Sequence, residues 1–210
     1  RNDSKITMAA LMMMAAMAMT SCASSKKING DSNASKDSEM GKNEEDLDNS
    51  YLVLSDTQQD IVKKNNAFAL RLFNKVTDME SKVISPMSVS YLMGMLANGA
   101  DGITQQEILK AIGCEGVSVN DLNELYKAML LNANHQDKQT TVNIANYIAV
   151  NKNFQLNKDF CQKVSDSYLA GIESLDFTST KTTDRINGWC KEKTNGMIPR
   201  IIDQVSADAV

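Results

Sequence analysis

Three closely spaced serines and a single histidine are the side chains of this sequence that could support nucleophilic catalysis. Ser85, Ser88 and Ser90 lie in one short stretch, and His135 is the only histidine. A serine hydrolase typically holds its nucleophile in a Gly-x-Ser-x-Gly turn, next to a histidine and an acid. None of the three serines has that context, and His135 lies in a polar stretch without an evident acid partner. We keep a hydrolase only as an alternative class and interpret His135 as a loop residue.

The cysteines are the second group with chemical potential. The sequence contains 4 of them, at Cys22, Cys114, Cys161 and Cys190. Their spacings match no metal site. Cys22 belongs to an N-terminal leader, and the other three cannot all form disulfides with one another. We interpret them as buried small hydrophobic residues rather than ligands or disulfide partners, and we expect no metal and no cofactor.

Composition narrows the class of protein further. The formal net charge is -4, the aromatic content is 5% and the hydrophobic content is 42%. The chain has no basic patch interleaved with aromatic residues, so a nucleic-acid partner is not expected. Residues 51–210 have the length and apolar content of one medium-sized globular domain. We expect that domain to be monomeric.

The N-terminal stretch reads as a leader. Lys5 precedes an uncharged apolar run over residues 6–18, which is followed by Met19-Thr20-Ser21-Cys22. The run is shorter than the roughly 20 residues that span a membrane, so residues 1–21 are predicted to be a secretory signal peptide. The cysteine after Thr20-Ser21 resembles the lipobox of bacterial lipoproteins, although Met19 fits that pattern loosely. A plain signal peptide with an incidental cysteine is the alternative.

The lipobox resemblance implies a location for the protein. Cys22 would be the lipid attachment site, and the lipid would anchor the exported protein in a membrane at its periplasmic or extracellular face. Residues 23–50 are mostly Ser, Lys, Asn, Asp, Glu and Gly. Such a composition cannot bury enough apolar surface to offset chain entropy. Residues 22–50 are therefore predicted to be a lipidated cysteine followed by a disordered tether.

The serines themselves lie on a helix with clear ends. Ser85 can cap the helix, Pro86 suits its first position, and Asn98-Gly99 supplies a stop signal. The residues between them are apolar nearly all round, which predicts a buried helix. Ser88 and Ser90 would then be carried into the core, where an unpartnered hydroxyl costs about 1–3 kcal/mol. Each should have a hydrogen-bond partner.

The remaining pattern mixes helices and strands in an α+β order. Asn146 is notable because it falls on the apolar face of a predicted strand, where a side-chain amide needs a partner. We predict elements from about residue 57 through Phe73 (helix), 82–84 (strand), a Thr104 capping box to Gly113 (helix), 119–133 (helix), 141–150 (strand), after Asn157 (helix), 172–177 (strand), and a Thr183 cap to Asn195-Gly196 (helix).

Several of these stretches resemble one family. The text from Ser85 to Thr104, with Ser-Pro-x-Ser-x-Ser followed by Gly-Ala-x-Gly-x-Thr, resembles the helix B and helix C signature of the serpins. The stretch from Asn66 to Phe73 resembles serpin helix A. Residues 186–198 resemble the helix F signature, with Cys190 in place of Val and Met197 in place of Lys. The resemblance covers residue 66 to about residue 202 and implies the N-terminal portion of a serpin fold, helices A to F with strands of sheet A, incomplete at its C-terminus.

The resemblance implies a function and a set of residues. Inhibitory serpins are suicide substrates that trap serine or papain-like cysteine proteases through a conformational change, and they are not enzymes. A non-inhibitory serpin acting as a surface or binding protein is the alternative. The resemblance places the hinge and reactive loop beyond Val210, so no bait residue is named. The matched shutter and structural residues are Ser85, Pro86, Ser88, Asn146, Asn187, Trp189, Thr194 and Gly196.

Overall fold

The computed structural model of the protein describes residues 12–14, 52–78, 81–133 and 141–209. These ranges contain six helices and three strands, which confirms the α+β class. In chain order the elements are β1 Met12–Met14, α1 Asp56–Val76, α2 Pro86–Gly99, α3 Gly102–Ala111, α4 Val119–Asn132, β2 Asn146–Asn151, α5 Lys158–Tyr168, β3 Gly171–Leu175 and α6 Thr180–Lys193.

The three strands form one sheet with β2 in the middle. Strand β3 runs parallel to β2, with Tyr147 opposite Gly171, and β1 runs antiparallel to β2, with Met12 opposite Ile148. Strand β1 lies inside the predicted signal peptide. The rest of that leader, Cys22, the tether and His135 lie outside the described residues, so the domain boundaries stay predictions.

Strand β2 separates two cores. All six of its residues are buried, and successive side chains of a strand point to opposite faces. Ile148 contributes to the first core, which is formed with residues of helices α1 to α5. Tyr147 and Ala149 contribute to the second core, together with α6 and the segment that follows it. Helices α1 to α5 therefore cover one face of the sheet, and helix α6 covers the other.

Helix α2 begins where the sequence predicts. The side chain of Ser85 accepts a hydrogen bond from the backbone N–H of Ser88, and Pro86 is the first helical residue. The predicted Thr104 and Thr183 caps are wrong, because both residues lie inside helices. Asp101 caps α3 and Ser179 caps α6.

Both errors have the same physical reason. A threonine is tolerated within the first turn of a helix, so an earlier Asp or Ser can take the capping position.

The predicted strand at 82–84 is also wrong: that segment is irregular, and Val83 is 98% exposed. The strand predicted over 141–150 is shorter than expected, since only Asn146–Asn151 is extended and paired.

The apolar residues of α1 are only partly covered. Ile61 and Phe68 are buried in the first core, and Leu72 packs against it. Phe73, one residue further along the helix, is 48% exposed. No helix in residues 52–78, 81–133 or 141–209 is long and apolar enough to cross a bilayer.

The three cysteines of the domain are all free thiols, as predicted. Cys114 and Cys190 are fully buried, whereas Cys161 is half-buried, which corrects the expectation that all three lie in the core. Burial raises the pKa of the Cys114 thiol to about 11 and raises that of Cys190 as well. Since the thiolate is the reactive form, these two residues are protected both by packing and by protonation.

We predict that a maleimide added to the folded protein at pH 8 modifies Cys161 before Cys114 and Cys190. The two buried thiols should react only when denaturant unfolds the domain. Peptide mass spectrometry at successive times gives the order of modification. A Cys161→Ser variant serves as the control and should lack the fast phase. Early modification of Cys114 in the native protein would show that this thiol is not buried.

Candidate functional site

The serines at the start of α2 pair with each other. Ser85 Oγ and Ser88 Oγ are 2.8 Å apart, and Ser85 Oγ also accepts from the Ser88 N–H at 3.3 Å. Both side chains are half-buried, while Ser90 is only 3% exposed. Ser88 therefore has the partner that was expected, which is Ser85 of the same helix start, but it is half-buried and does not enter the core as Ser90 does. This arrangement is a helix cap and not a nucleophile with a general base.

Asn146 joins the first residue of β2 to the end of α5. The side chain is 6% exposed, and its Nδ2 donates to the carbonyl oxygen of Tyr168 at 2.7 Å. Leu169 follows in the left-handed region with φ of 51°, so α5 ends at this point and the chain turns into β3. The amide predicted to need a partner therefore has one, and it acts as a bracket between sheet and helix.

Helix α6 lies on the opposite face of the sheet, where it buries Ile186 and Cys190 and makes two further contacts with the strands. The rings of Trp189 and Tyr147 stack, with centroids 4.6 Å apart and an interplanar angle of 24°. Arg185 Nε donates to Glu173 Oε2 at 2.9 Å, and its Nη2 donates to the other oxygen of the same carboxylate. One contact reaches β2 and the other reaches β3, so α6 is fixed across both strands.

Asn187 ties α6 to the chain that follows it. Its Nδ2 donates to the carbonyl of Ile202 at 2.9 Å, and its Oδ1 accepts from the N–H groups of Ile201 at 2.8 Å and Ile202 at 3.2 Å. A single amide thus satisfies three backbone groups of an irregular segment. That segment carries Ile198, Ile201 and Ile202 onto the second core.

Thr194 and Gly196 form the end of α6. Thr194 Oγ1 donates to the carbonyl of Cys190 at 2.8 Å and accepts from the N–H of Ile198 at 3.0 Å. Gly196 has φ of 82°, and its N–H bonds to Lys191 O at 2.7 Å. A left-handed residue at a helix end favours glycine, so this position has a backbone reason for its residue type.

The eight predicted residues fall into two groups. Ser85, Pro86 and Ser88 form the cap of α2, whereas the remaining five lie around β2 and α6. No hydrogen bond among the described residues joins Ser88 to β2. Likewise, the described part of the chain contains no cluster of three or more His, Cys, Asp or Glu side chains arranged to hold a metal ion.

Sequence reasoning missed Tyr147 and the pair Asn98–Asn123. Tyr147 is 2% exposed, and its hydroxyl has no hydrogen-bond partner among the described residues. Burial raises the pKa of this hydroxyl, and the negative charge of nearby Glu173 adds to the effect. The buried Asn123 lies between the buried Leu122 and Leu125. A polar residue that interrupts an apolar helix face could have indicated from the sequence that this amide needs a partner.

Comparisons with known proteins agree with this arrangement. The family model described as "Serpin (serine protease inhibitor)" matches residues 63–210. Iripin-1 of Ixodes ricinus is 32% identical over 146 residues, covering 67% of this chain and 37% of that protein. "Serine protease inhibitor 42Dd" of Drosophila melanogaster is 28% identical over 134 residues, covering 63% and 36%.

One solved serpin matches in two states. The thermophilic serpin tengpin in its latent state is 33% identical, with a TM-score of 0.66 over 75% of this chain and 42% of that one. Its native state matches with 31% identity and a TM-score of 0.62, over 73% and 39% of the two chains.

A helical layer beneath a small sheet, with one further helix fixed across the outer face, defines an α+β domain of the serpin type. The family match covers well over half of the sequence. The chain belongs to the serpin family. It spans about two fifths of the length of the relatives it matches.

We predict that Asn187→Ala lowers the free energy of unfolding by about 1–3 kcal/mol, because the backbone groups of Ile201 and Ile202 lose their partners. Trp189 is the only tryptophan and lies in α6, two residues after Asn187, so its fluorescence reports the unfolding of this helix in urea. Asn187→Asp is the matched control. It keeps an oxygen acceptor for the two N–H groups, but it loses the donor to the Ile202 carbonyl and adds a negative charge, so its loss of stability should shrink as the pH falls and the carboxyl becomes neutral. Unfolding midpoints equal to wild type for both variants would show that Asn187 does not hold this segment.

Proposed function

We propose that the protein is a protease inhibitor that acts as a suicide substrate. The observation that carries the proposal is the match over residues 63–210 to a family whose model is described as a serine protease inhibitor. The Drosophila relative bears the same description in its name. More than half of each relative lies outside the match, so the activity is proposed for the whole protein that contains this chain.

The proposed mechanism is a conformational trap. A serine or papain-like cysteine protease attacks an exposed loop of the inhibitor and forms an acyl bond to it. The cleaved loop then enters the central sheet as a new strand, carrying the acylated protease along, before water can release the enzyme. Tengpin, which has been solved in both a native and a latent state, supports the idea that this fold has two stable arrangements.

The described residues would contribute the resistance to that change. Helix α6 lies across the sheet and has to shift when a strand is added. The stack of Trp189 on Tyr147 and the ion pair between Arg185 and Glu173 would have to break or move with it. Asn146 at the start of β2 would hold the closed arrangement before cleavage, whereas Ser85 and Ser88 would contribute only by fixing the start of α2. The free energy of these contacts sets part of the barrier.

We predict that the full-length protein forms a complex with a susceptible serine or papain-like cysteine protease that survives denaturing electrophoresis. The reason is the acyl bond, which remains intact while the protease is distorted. Incubation with a panel of proteases, followed by electrophoresis and a residual-activity assay, measures the outcome. The protein alone should show no turnover of peptide substrates.

If every protease in the panel either ignores the protein or cleaves it and remains fully active, the inhibitory mechanism is wrong for this protein. The alternative of a non-inhibitory serpin, acting as a surface or binding protein, would then take its place. A protease treated with a synthetic covalent inhibitor beforehand is the control, since it cannot form the acyl bond.

We also propose that the protein is exported and anchored to a membrane through lipid on Cys22. The support is the sequence around that residue: a basic residue, a short apolar run, and Thr20-Ser21 directly before the cysteine. The polar segment up to residue 50 would then serve as a tether between the lipid and the domain. Protease targets at the periplasmic or extracellular face would be within its reach.

We predict that Cys22→Ser moves the protein from the membrane fraction to the soluble exported fraction without changing its inhibitory activity. The lipid supplies the membrane affinity, and the domain is connected to it only through the tether. Fractionation and intact mass of the mature N-terminus test this. Cys161→Ser is the control and should leave the protein at the membrane. An unacylated wild-type protein cleaved at another position would refute the anchor.

A further inference from the structure

Tyr168 is held at both of its ends. The residue closes α5 and is fully buried. Its backbone carbonyl accepts the hydrogen bond from Asn146 Nδ2 at 2.7 Å, and its hydroxyl donates to Asn123 Oδ1 at 2.7 Å. Tyr168 therefore connects two parts of the protein: its backbone carbonyl binds the start of β2, and its hydroxyl binds the interior of the helical layer.

The acceptor of the Tyr168 hydroxyl is itself fixed. Asn98 and Asn123 form a reciprocal amide pair, with Asn98 Nδ2 donating to Asn123 Oδ1 at 2.8 Å and Asn123 Nδ2 donating to Asn98 Oδ1 at 2.9 Å. Asn98 Nδ2 also donates to the carbonyl of Gly94 at 2.9 Å. Hydrogen bonds thus connect α2, α4, α5 and β2, and each amide in the network restrains its neighbours.

Packing leaves Tyr168 no alternative position. A Cβ atom at Gly94 would lie 2.3 Å from the Tyr168 hydroxyl oxygen, so the ring occupies the space that a larger residue would fill. The rings of Tyr126 and Tyr91 meet it edge-on, with centroid distances of 5.9 Å and 6.5 Å. A close-packed ring in such a site cannot move without displacing its neighbours.

The hydroxyl also stays in its donor form. Burial raises the pKa of Tyr168 well above its ordinary value. The bond to Asn123 is therefore present throughout the physiological pH range. Nothing else in the network titrates, because its other members are amides, a glycine carbonyl and the Tyr168 carbonyl.

We propose that Tyr168 is a positioning residue through which the amide pair Asn98–Asn123 fixes Asn146 and the start of β2. This inference rests on the proposed function, since the position of β2 matters for activity only if the sheet rearranges. With the Tyr168 hydroxyl removed, the end of α5 gains freedom. The bracket to Asn146 then restrains β2 less, and the sheet rearranges more readily without a protease.

The test uses Tyr168→Phe in the full-length protein. We expect the rate of heat-induced conversion to inactive protein to rise about tenfold, as the loss of one buried hydrogen bond implies. We also expect the effect to be smaller when Asn146→Ala is already present, because the two changes act along one connection. The measurements are the active fraction after timed heating and the unfolding midpoint in urea.

Tyr126→Phe is the matched control. It removes a buried hydroxyl from the same tyrosine cluster, but that hydroxyl bonds to Asn65 of α1, at 3.0 Å and 3.2 Å, and not to the bracket of β2. This variant should lower the unfolding midpoint and add independently to Asn146→Ala. If Tyr168→Phe also adds independently, Tyr168 is an ordinary core residue and the inference is overturned.

Asn123→Ala is the second variant. It removes the acceptor of the Tyr168 hydroxyl from the opposite side and should reproduce the non-additivity with Asn146→Ala, even if Tyr168→Phe fails to fold. The urea experiment also separates the two proposals. Non-additivity in urea without any protease complex would retain the connection and reject the inhibitory function. A protease complex without non-additivity would do the reverse.

Discussion

The burial of both faces of β2 is the constraint on which the rest of this structure depends. Every side chain of a strand in that position enters a core, so a polar group on it is costly without a partner inside the protein, and among the polar side chains of β2 the Tyr147 hydroxyl is the exception that has none within the described part of the chain. Asn146 finds one in the Tyr168 carbonyl, and Asn151 bonds the carbonyls of Ala207 and Ala209. Helices cover one face and α6 covers the other because an uncovered face of β2 would expose its apolar residues.

The two faces are covered in physically different ways. On the helical side, close-packed aromatic rings and an amide pair, of which Asn123 is buried and Asn98 half-buried, hold Tyr168 in one place. On the other side, α6 is attached by a ring stack and by an ion pair whose side chains are 46% and 30% exposed. Exposed ion pairs contribute little to stability. Contacts on the helical side are therefore mostly buried, whereas α6 combines a buried face, with Ile186 and Cys190 at 0% exposure, and an ion pair open to solvent.

Local signals made part of this arrangement predictable from the sequence. The cap at Ser85 and the proline after it predicted the start of α2, and the strand period identified Asn146 as a polar residue on an apolar face. The helix ends near the predicted stop, but Gly99 is its last helical residue and not a left-handed one. Caps at Thr104 and Thr183 were wrong because several nearby residues compete for one capping position. The connection through Asn98, Asn123 and Tyr168 was not predictable, since it joins elements far apart in the chain and depends on their packing.

The position of Asn146 shows how stability and rearrangement can be linked in such a fold. Its hydrogen bond to Tyr168 stabilises an arrangement only while β2 and α5 keep their present separation. A state in which β2 moves away from α5 loses that bond and leaves the buried amide unpaired, so the bond favours the present arrangement of the two elements. Hydrophobic contacts lack this property, because a ring or methyl group that slides over an apolar surface keeps most of its burial. Short polar side chains in an apolar strand would therefore suit the conformational trap proposed for this protein.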